Sequence, residues 1–382
     1  MTKPKVAIIR GKFLNQYEMQ SYEPLSSHYD MTAFGSLTSF HSAFSFPVVK
    51  SVSPVDLPPF PHKMPILNRM CTDAHILFGL EKRLKGFDIA HSAETYFYYT
   101  KQVCRAKEKG YVGKVIVSVI ENIPHANELI RGRSEIKSYV RSMADHFIAI
   151  SQKAKNALIV EGVPQKKIDI IGYGVDTTRF APSEDHWDYL GRKKMQTMKI
   201  LFVGRLVKEK GIEDVLAAFD ILKKKEANTT TKMRLIIVGS GDKKNIAREY
   251  QKKYPQDIEL MEVEYKNMHE IYKIADIIVA PSRTTATWIE QFNIALMEAQ
   301  SLGVPIITTD TGSIEENVKD AGIYVEQRKP EEIAQAIEWL RDHPQGRLSY
   351  GLKGRERAEQ IHNQFIIAKK ISNVYQKVLM GR

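Results

Sequence analysis

Short apolar runs alternate with amphipathic stretches along most of the chain. In the first half, VAIIR at 6–10, FDIAHS at 87–92, KVIVSV at 114–119 and HFIAIS at 146–151 have the length and residue content of buried strands. Helical stretches such as EIKSYVRSMA separate these runs, and parallel strands need crossover connections of that kind. KIDIIGYGVD at 167–176 adds another strand and a turn marked by glycine. The pattern predicts a parallel α/β domain.

The alternation is interrupted at two places. After the first strand, EMQSYEPLSSHY predicts a helix, and residues 36–65, rich in Ser, Phe and Pro, predict irregular structure. Residues 183–197 are charged and lack periodicity, which predicts a linker. From residue 198 the alternation resumes with the strand MKILFVGRL and the amphipathic helix GIEDVLAAFDILKKK. We therefore predict two consecutive open α/β domains, with the ligand site in the cleft between them.

Composition narrows the class of protein. A chain of 382 residues with 43% hydrophobic and 26% charged residues is typical of a globular protein with two domains. No apolar run approaches the roughly 20 residues that span a bilayer, and charge soon interrupts the start MTKPKVAIIR, so we expect a cytoplasmic protein. Two cysteines, Cys71 and Cys104, without a CxxC spacing predict free thiols. The net charge of +11 suggests anionic partners, whether nucleotide sugars, phospholipid surfaces or nucleic acid.

Several common catalytic motifs are absent from the sequence. GxxxxGK[ST], a complete GxGxxG, HExxH and GxSxG do not occur. The histidines lack metal-ligand spacing and no Asp-x-Asp pair occurs, so we expect neither a metal nor another cofactor. If the protein binds a diphosphate, cationic side chains and backbone amides must therefore supply the positive charge.

The stretch VGRLVKEKG at 203–211 offers such charge. Gly204 ends a predicted strand and allows close backbone approach, while Arg205 and Lys210 lie in the loop that precedes a helix. An arginine fork and a lysine point charge suit two adjacent phosphates. The alternative interpretation is a charged loop that faces solvent.

Two acids bracket the apolar stretch EQFNIALME. Glu290 precedes the predicted helix, and Glu298 lies about two turns further along it, among apolar neighbours. Glu290 could be a helix-capping acid and Glu298 half of a buried ion pair. The alternative is that both acids bind a ligand.

Taken in order, these motifs resemble the retaining, GT-B-fold glycosyltransferases of the large family 4 group. The resembling motifs are AISQKAKNALIVEGVPQKKIDIIGYGVDTTRFAP at 149–182, VGRLVKEKG at 203–211, APS at 280–282, EQFNIALMEA at 290–299 and GVPIITTDTGSIEENV at 303–318. The resemblance implies two Rossmann-like domains, at 1–182 and 198–355, that face each other across a central cleft. A C-terminal helix at about 356–382 would pack back on the first domain.

The family's activity is implied with the fold. A member transfers a sugar from a nucleoside diphosphate sugar of the UDP, GDP or ADP type to an acceptor hydroxyl, without a metal and with retention of configuration. Carried over by position, Arg205 and Lys210 would bind the donor diphosphate, Glu290 the hydroxyls of the transferred sugar and Glu298 the ribose. The amides implied at the phosphate are those around Phe292, Asn293 and Ile294. Asn293 stands where the family usually has glycine.

The first domain would complete the site. Gly11 corresponds to the family's glycine loop, which faces the diphosphate and the acceptor. Many members carry a His-Asp pair where this chain has IENIPH, so Glu121 or Asn122 is expected near the reacting sugar, with His125 as a weaker candidate. The acceptor could be a glycan, a lipid-linked glycan or a small molecule.

A basic stretch suggests a further partner. LIRGRSEIKSYVRSMADHF could present a basic face to anionic lipid at the inner side of the membrane, or be only a solvated helix face. Its basic residues are Arg131, Arg133, Lys137 and Arg141. Two other functions stay open: a nucleotide-sugar epimerase of the same architecture, and a basic protein that binds nucleic acid or membranes. Nucleic acid is not expected, because no RRM, KH or helix-turn-helix motif occurs.

Overall fold

A computed structural model describes residues 2–192, 195–226 and 229–381. The chain divides into two compact units. Unit 1 extends to Gly174 and resumes at Gln364, and unit 2 extends from Val175 to Asn363. Each unit has its own buried core and is described by itself.

Each unit contains a sheet of parallel strands. The strands are β1 Lys5–Gly11, β2 Asp30–Ser36, β3 Val48–Ser51, β4 Phe87–Ala93, β5 Val112–Val119, β6 His146–Ala149, β7 Ile168–Ile170, β8 Thr197–Val203, β9 Lys232–Val238, β10 Ile258–Met261, β11 Ile277–Ala280, β12 Ile306–Thr309 and β13 Gly322–Val325. Their order is β3-β2-β1-β4-β5-β6-β7 in unit 1 and β10-β9-β8-β11-β12-β13 in unit 2. The predicted α/β class with two Rossmann-like domains is confirmed.

Helices cover the sheets. They are α1 Gln16–Met19, α2 Lys63–Cys71, α3 Leu80–Arg83, α4 Tyr98–Glu108, α5 Arg133–Met143, α6 Gln152–Val160, α7 His186–Leu190, α8 Ile212–Lys225, α9 Lys244–Lys253, α10 Met268–Lys273, α11 Ile294–Ser301, α12 Ile314–Val318, α13 Pro330–Asp342, α14 Pro344–Gln360 and α15 Gln364–Leu379. Among the described helices, none has the length and apolar content that crossing a membrane takes.

Both sheets share one winding. If the strands are numbered from one within each unit, both sheets contain the strand order 3-2-1-4-5-6. The first three strands extend the sheet in one direction and the later strands extend it in the other, so the winding reverses between the first and fourth strands. These strands are β1 and β4 in unit 1, which pair at Ala7 and Ala90, and β8 and β11 in unit 2, which pair at Leu201 and Ile278. Ligands of open α/β sheets bind beyond the carboxyl ends of the strands at such a switch point.

The cores explain why the strands are apolar on both faces. In β1, Ala7 and Ile9 point into one cluster of buried side chains, while Val6 and Ile8 point into the other. Helix α15 covers the second face of the unit 1 sheet and adds Tyr375 to its core. A strand buried on both faces must be apolar throughout, which is the pattern that the sequence displays.

Two predicted segments differ from the structure. EMQSYEPLSSHY contains only the end of the short helix α1 and a 3-10 turn at Glu23–Ser27, because Pro24 near the start of that turn lacks the amide donor that a continuous helix needs. The segment 36–65, predicted to be irregular, contains β3 and the start of α2, and β2 precedes it. Strand β2 is a strand because it pairs along β1, from Lys5 with Asp30 onward, and not because of its own sequence pattern.

The limits of the units also differ from the predicted domains. Residues 175–192 belong to unit 2, and the predicted linker at 183–197 contains α7; its Lys193 and Lys194 lie outside the described residues. The chain returns to unit 1 at Gln364 and not near residue 356. The break between α14 and α15 occurs where the His362 carbonyl accepts a hydrogen bond from the Val175 amide at 2.7 Å.

A buried arginine fixes the segment that the sequence indicated as a linker. Arg347 is fully buried and donates to the carbonyls of Leu190 and Arg192, at 3.2 and 2.8 Å. It also donates to the carbonyls of Leu340 and Arg341, at 2.6 and 2.9 Å. A single side chain therefore satisfies carbonyl groups of two chain segments within unit 2.

We expect Arg347→Ala to lower the free energy of unfolding of unit 2 by more than about 3 kcal/mol, because several buried carbonyls lose their donor. Arg341→Ala is the control, since Arg341 pairs with the exposed Asp342, and its cost should stay below about 1 kcal/mol. Urea unfolding followed by tryptophan fluorescence measures both, because the three tryptophans all lie in unit 2. Equal stability of the two variants would contradict the anchoring role.

Candidate functional site

The loops after β8 and β11 meet at the switch point of unit 2. Gly211 ends the loop after β8 with φ of +71°, and a Cβ atom there would lie 2.1 Å from the Pro281 carbonyl oxygen. Only glycine permits both this conformation and this close approach. The backbone of the first loop is thus packed directly against the start of the second.

A buried ion pair joins the same two loops. The Glu290 carboxylate is 4% exposed, and its Oε2 lies 2.5 Å from Lys210 Nζ and accepts a hydrogen bond of 2.7 Å from Ser282 Oγ. Lys210 Nζ also lies 5.4 Å from the centroid of the Trp288 ring. Two of the predicted site residues are therefore in direct contact, although they are 80 positions apart.

The loop after β12 adds a third support. Gly312 has φ of +60°, and a Cβ atom there would lie 1.7 Å from the Glu290 carbonyl oxygen. That oxygen accepts a hydrogen bond of 3.0 Å from the Ser313 amide. The backbone of Glu290 is therefore fixed independently of its side chain.

Arg205 behaves differently from Lys210. Its side chain is exposed, and among the described residues no carboxylate pairs with its guanidinium group. The preceding Gly204 has φ of +153° and open space where a Cβ atom would stand. The loop after β8 thus presents an uncompensated cation beside a stretch of accessible backbone.

The start of α11 has an asparagine where the family usually has glycine. Asn293 is buried at the N-cap with φ of −80°, a conformation open to any residue, so the backbone here does not require glycine. Its carbonyl accepts a hydrogen bond of 2.9 Å from Asn317 Nδ2. Phe292 packs edge-on against His362, and Ile294 is the first residue of the helix.

Glu298 is buried within α11 and is 3% exposed. Its two carboxylate oxygens accept hydrogen bonds from the hydroxyl groups of Tyr265, at 2.7 Å, and Tyr272, at 2.9 Å. Burial raises the pKa of Glu298 to about 7, although both hydroxyls and the nearby Arg179 act in the opposite direction. Arg179 lies over the Tyr265 ring, 4.9 Å from its centroid.

The candidates of unit 1 lie at the carboxyl ends of β1 and β5. Gly11 has φ of +55°, and a Cβ atom there would lie 3.1 Å from the Tyr99 ring. The Glu121 carboxylate accepts hydrogen bonds from the amides of Asn122 and Ile123, at 3.1 and 3.0 Å, while burial raises its pKa. Asn122 is buried.

His125 lies with a different set of residues. Its Nδ1 is 3.0 Å from Glu128 Oε2, and its amide donates to Glu161 at 2.9 Å. These three side chains lie close enough to hold a metal ion. Lys137 and Arg141, however, bind the same carboxylates and neutralise them, which disfavours a cation there.

The predicted basic face on α5 is wrong for most of its members. Lys137 is 1% exposed and lies 2.6 Å from Glu161, which also binds Arg141 at 2.8 Å. Arg133 is buried beside Asp73. These three cations thus form ion pairs with carboxylates of the same unit. Arg131 alone of the four predicted residues is exposed.

Sequence reasoning missed several residues of the unit 2 site. Ser282 belongs to the quoted APS motif, yet its hydroxyl was not identified as a partner of Glu290. Gly312 belongs to the quoted stretch after β12, and its positive φ could have been suspected from TDTGS. Tyr265 and Tyr272 carry no local signal, because only the fold brings them to Glu298.

Most of unit 2 matches a known protein family. Residues 189–357 match the family described as glycosyl transferases group 1. The chain is 30% identical over 213 residues to a GDP-mannose-dependent monoacylated alpha-(1-6)-phosphatidylinositol monomannoside mannosyltransferase of Corynebacterium glutamicum, covering 53% of this chain and 54% of that protein. It is 27% identical over 248 residues to the capsular polysaccharide biosynthesis glycosyltransferase CapM of Staphylococcus aureus, covering 62% of each. The chain therefore spans between about half and two thirds of the length of these relatives.

Solved structures show the same fold along the whole chain. Sucrose-phosphate synthase from Thermosynechococcus elongatus superposes with a TM-score of 0.74 at 17% identity and 100% coverage of both chains. Anabaena Alr3699/HepE in complex with UDP-glucose superposes with a TM-score of 0.73 at 14% identity, covering 98% of this chain and 99% of that one. At such identities the likeness establishes the fold alone.

The raised pKa of Glu298 predicts a pH dependence of stability. Between about pH 4.5 and pH 7, the folded protein keeps a proton on Glu298 that the unfolded chain releases. The contribution of the protonated Glu298 to the free energy of unfolding is therefore fully present below pH 4.5 and is lost as the pH rises through about 7. Between roughly pH 5 and pH 8, we expect the free energy of unfolding to fall by on the order of 3 kcal/mol more in the wild type than in Glu298→Gln. Urea unfolding at several pH values tests this, and parallel profiles would refute it.

Proposed function

We propose that this chain, whose residues 189–357 match the family described as glycosyl transferases group 1, transfers a sugar from a nucleoside diphosphate sugar to an acceptor hydroxyl. The observation that carries the proposal is the cluster of Lys210, Ser282 and Glu290 at the switch point of unit 2. Ligands of open α/β sheets bind at that point. The named relatives add support, since one depends on GDP-mannose and one structure holds UDP-glucose.

The donor diphosphate would lie between the loop after β8 and the start of α11. Arg205 offers an unpaired guanidinium group, while Lys210 can bind a phosphate oxygen and keep its contact with Glu290, because an ammonium group has three donors. Gly204 would let the ligand approach the backbone. The amides around Phe292, Asn293 and Ile294 at the helix start suit a phosphate.

The two acids would hold the sugars of the donor. Glu290 would accept hydrogen bonds from hydroxyls of the transferred sugar, and Glu298 from those of the ribose. Tyr265 and Tyr272 each occupy one Glu298 oxygen, but a carboxylate oxygen has two lone pairs and can accept a further hydrogen bond. The tyrosines thus orient the carboxylate without saturating it.

The reaction would retain the configuration and need no metal. As the bond to the anomeric carbon breaks, negative charge grows on the leaving diphosphate, and Arg205 and Lys210 stabilise this charge more in the transition state than in the ground state. A leaving phosphate oxygen would take the acceptor proton on the same face of the sugar. No side chain is needed as a covalent nucleophile.

Unit 1 would supply the acceptor side. Gly11 at the end of β1 would face the diphosphate and the acceptor, and Glu121 or Asn122 after β5 would lie near the reacting sugar. The contacts of His125 with Glu128 and Glu161 favour a structural role. The acceptor is a glycan, a lipid-linked glycan or a small molecule. A cytoplasmic location and peripheral contact with the membrane stay predictions.

We expect Arg205→Ala and Lys210→Ala each to lower kcat by about 10²-fold to 10³-fold, as loss of a charge-stabilising group does. Lys208→Ala is the matched control, because this exposed lysine lies in the same loop and should leave kcat within a factor of about two. Initial rates of sugar transfer measure the effect. Near-wild-type rates in both site variants would overturn the assignment.

A screen of thermal stability against UDP-, GDP- and ADP-sugars would identify the donor. A ligand at 100 times its Kd stabilises the folded protein by about 2.7 kcal/mol, so one nucleotide class should raise the Tm by several degrees. Arg205→Ala should reduce that rise. If no nucleotide sugar changed the Tm, the proposed function would be wrong.

A further inference from the structure

An unusual acid occupies the switch point of unit 1. Glu94 is the first residue after β4, and its amide donates to the Ser118 carbonyl of β5 at 2.8 Å. Its φ of +62° is left-handed, which is uncommon for a residue other than glycine. Residues held in such conformations cluster at functional sites, because the surrounding structure has to impose the strain.

The carboxyl group of Glu94 is only partly satisfied. It is 3% exposed, and its Oε1 accepts a hydrogen bond of 2.7 Å from the Ile120 amide. Its Oε2 is buried and has no hydrogen-bond partner among the described residues. Buried polar atoms are nearly always paired, so an unpaired carboxyl oxygen beyond the carboxyl end of a strand calls for a ligand.

The protonation state of Glu94 decides what such a ligand must offer. Burial raises the pKa of Glu94 to about 8 and the charge of Glu121 adds to the rise, although the amides of Ile120 and Glu121 and the charge of Lys137 act in the opposite direction. At neutral pH the group is therefore mostly protonated. The oxygen that does not bond the Ile120 amide can then donate a hydrogen bond to a ligand hydroxyl oxygen.

Aromatic side chains follow Glu94 along the chain and contact the loop after β1. Phe97, three positions after Glu94, stacks on Tyr99 with ring centroids 4.9 Å apart, and the Tyr99 ring is the neighbour of Gly11. Phe13, in the loop after β1, lies 5.3 Å from the Phe97 centroid and keeps 36% of its surface exposed. The loops after β1 and β4 therefore meet in an aromatic cluster, in which Phe13 stacks on His75 at 5.2 Å and stays partly exposed. An exposed aromatic ring suits the apolar face of a sugar ring or a cyclic polyol.

We propose that the Glu94 carboxyl group binds a hydroxyl group of the acceptor, a hydroxylated ring whose apolar face packs on Phe13. This inference rests on the proposed transfer activity and gives its acceptor a contact in unit 1. Because Oε2 is buried, binding must move Glu94 or the loop that follows Ile120. That loop contains His125 and Asn127, both at positive φ, so it is itself held in a strained conformation.

The test uses myo-inositol and the methyl α-glycosides of glucose, mannose and galactose as probes, added to the full chain with a saturating nucleotide. Saturation-transfer NMR titrations measure their Kd. We expect the wild type to bind at least one probe. Glu94→Ala should weaken that binding at least about tenfold, whereas Glu94→Gln, which keeps a donor and an acceptor, should stay within about threefold. No probe binding to the wild type, or equal Kd values for wild type and Glu94→Ala, would overturn the inference.

Two further variants separate binding from a merely structural role. Asp145→Asn is the matched control. Asp145 also accepts a hydrogen bond from a backbone amide, that of Val115 at 2.8 Å, but it directly precedes β6 and so lies at the amino ends of the strands, away from Glu94. Asp145→Asn should leave the probe Kd unchanged.

Glu94→Asp keeps the acid on a shorter side chain, so it should weaken probe binding. This variant tests the role of Glu94 if Glu94→Ala does not fold. Unchanged binding in Glu94→Asp would then overturn the inference.

Nucleotide binding distinguishes the two levels of the proposal. Nucleotide binding is followed by the change in tryptophan fluorescence, since Trp288 lies beside Lys210 in unit 2 and Trp288→Phe identifies its share of the signal. If nucleotide sugars bind but the Glu94 variants leave the probe Kd unchanged, only the role of Glu94 is wrong. If no nucleotide sugar binds, the proposed function itself is wrong.

Discussion

The ion pair between Lys210 and Glu290 is the interaction on which the candidate site of unit 2 depends. It joins the loop after β8 to the segment before α11, and the Ser282 hydroxyl shares the same carboxylate oxygen. Burying two charges is costly, and a well-packed apolar pair often stabilises a fold as well or better. The proposed role in binding a charged ligand would explain why such a pair stands at the switch point, where the sheet topology would place that ligand.

Backbone packing keeps this pair in position. Gly211 lies against the Pro281 carbonyl and Gly312 against the Glu290 carbonyl, at distances that leave no room for a side chain. The loops after β8, β11 and β12 are therefore fixed by their main chains before any side chain binds a ligand. Such preorganised donors need little rearrangement when charge develops in a transition state.

Unit 1 repeats the winding with different chemistry. Its switch point holds Gly11, the aromatic side chains around Phe97 and the acid Glu94, and not a cluster of lysine and arginine. Helix α15 closes the far face of its sheet, where the Tyr375 hydroxyl lies 2.8 Å from His91 Nδ1 and burial holds the pKa of His91 well below its usual value. The same topology thus places lysine and arginine at the switch point of unit 2 and the proposed hydroxyl-binding acid at the switch point of unit 1.

The sequence predicted those parts of the fold whose pattern is local. Apolar runs such as VAIIR and KVIVSV became β1 and β5, since strands buried on both faces must be apolar throughout. Strand β2 was missed because pairing with β1 creates it, and the basic face of α5 was wrong because Asp73 and Glu161, distant in sequence, neutralise its cations. The family resemblance indicated Lys210 and Glu290 as site residues, but the tyrosines around Glu298 depend on contacts that only the folded chain creates.

Hydrogen exchange with and without the stabilising nucleotide sugar, read by mass spectrometry, locates the site where the donor binds. We expect slower exchange in peptides covering 202–212 and 281–301. Unchanged exchange in these peptides, with protection elsewhere, would show that the donor does not bind at the switch point of unit 2.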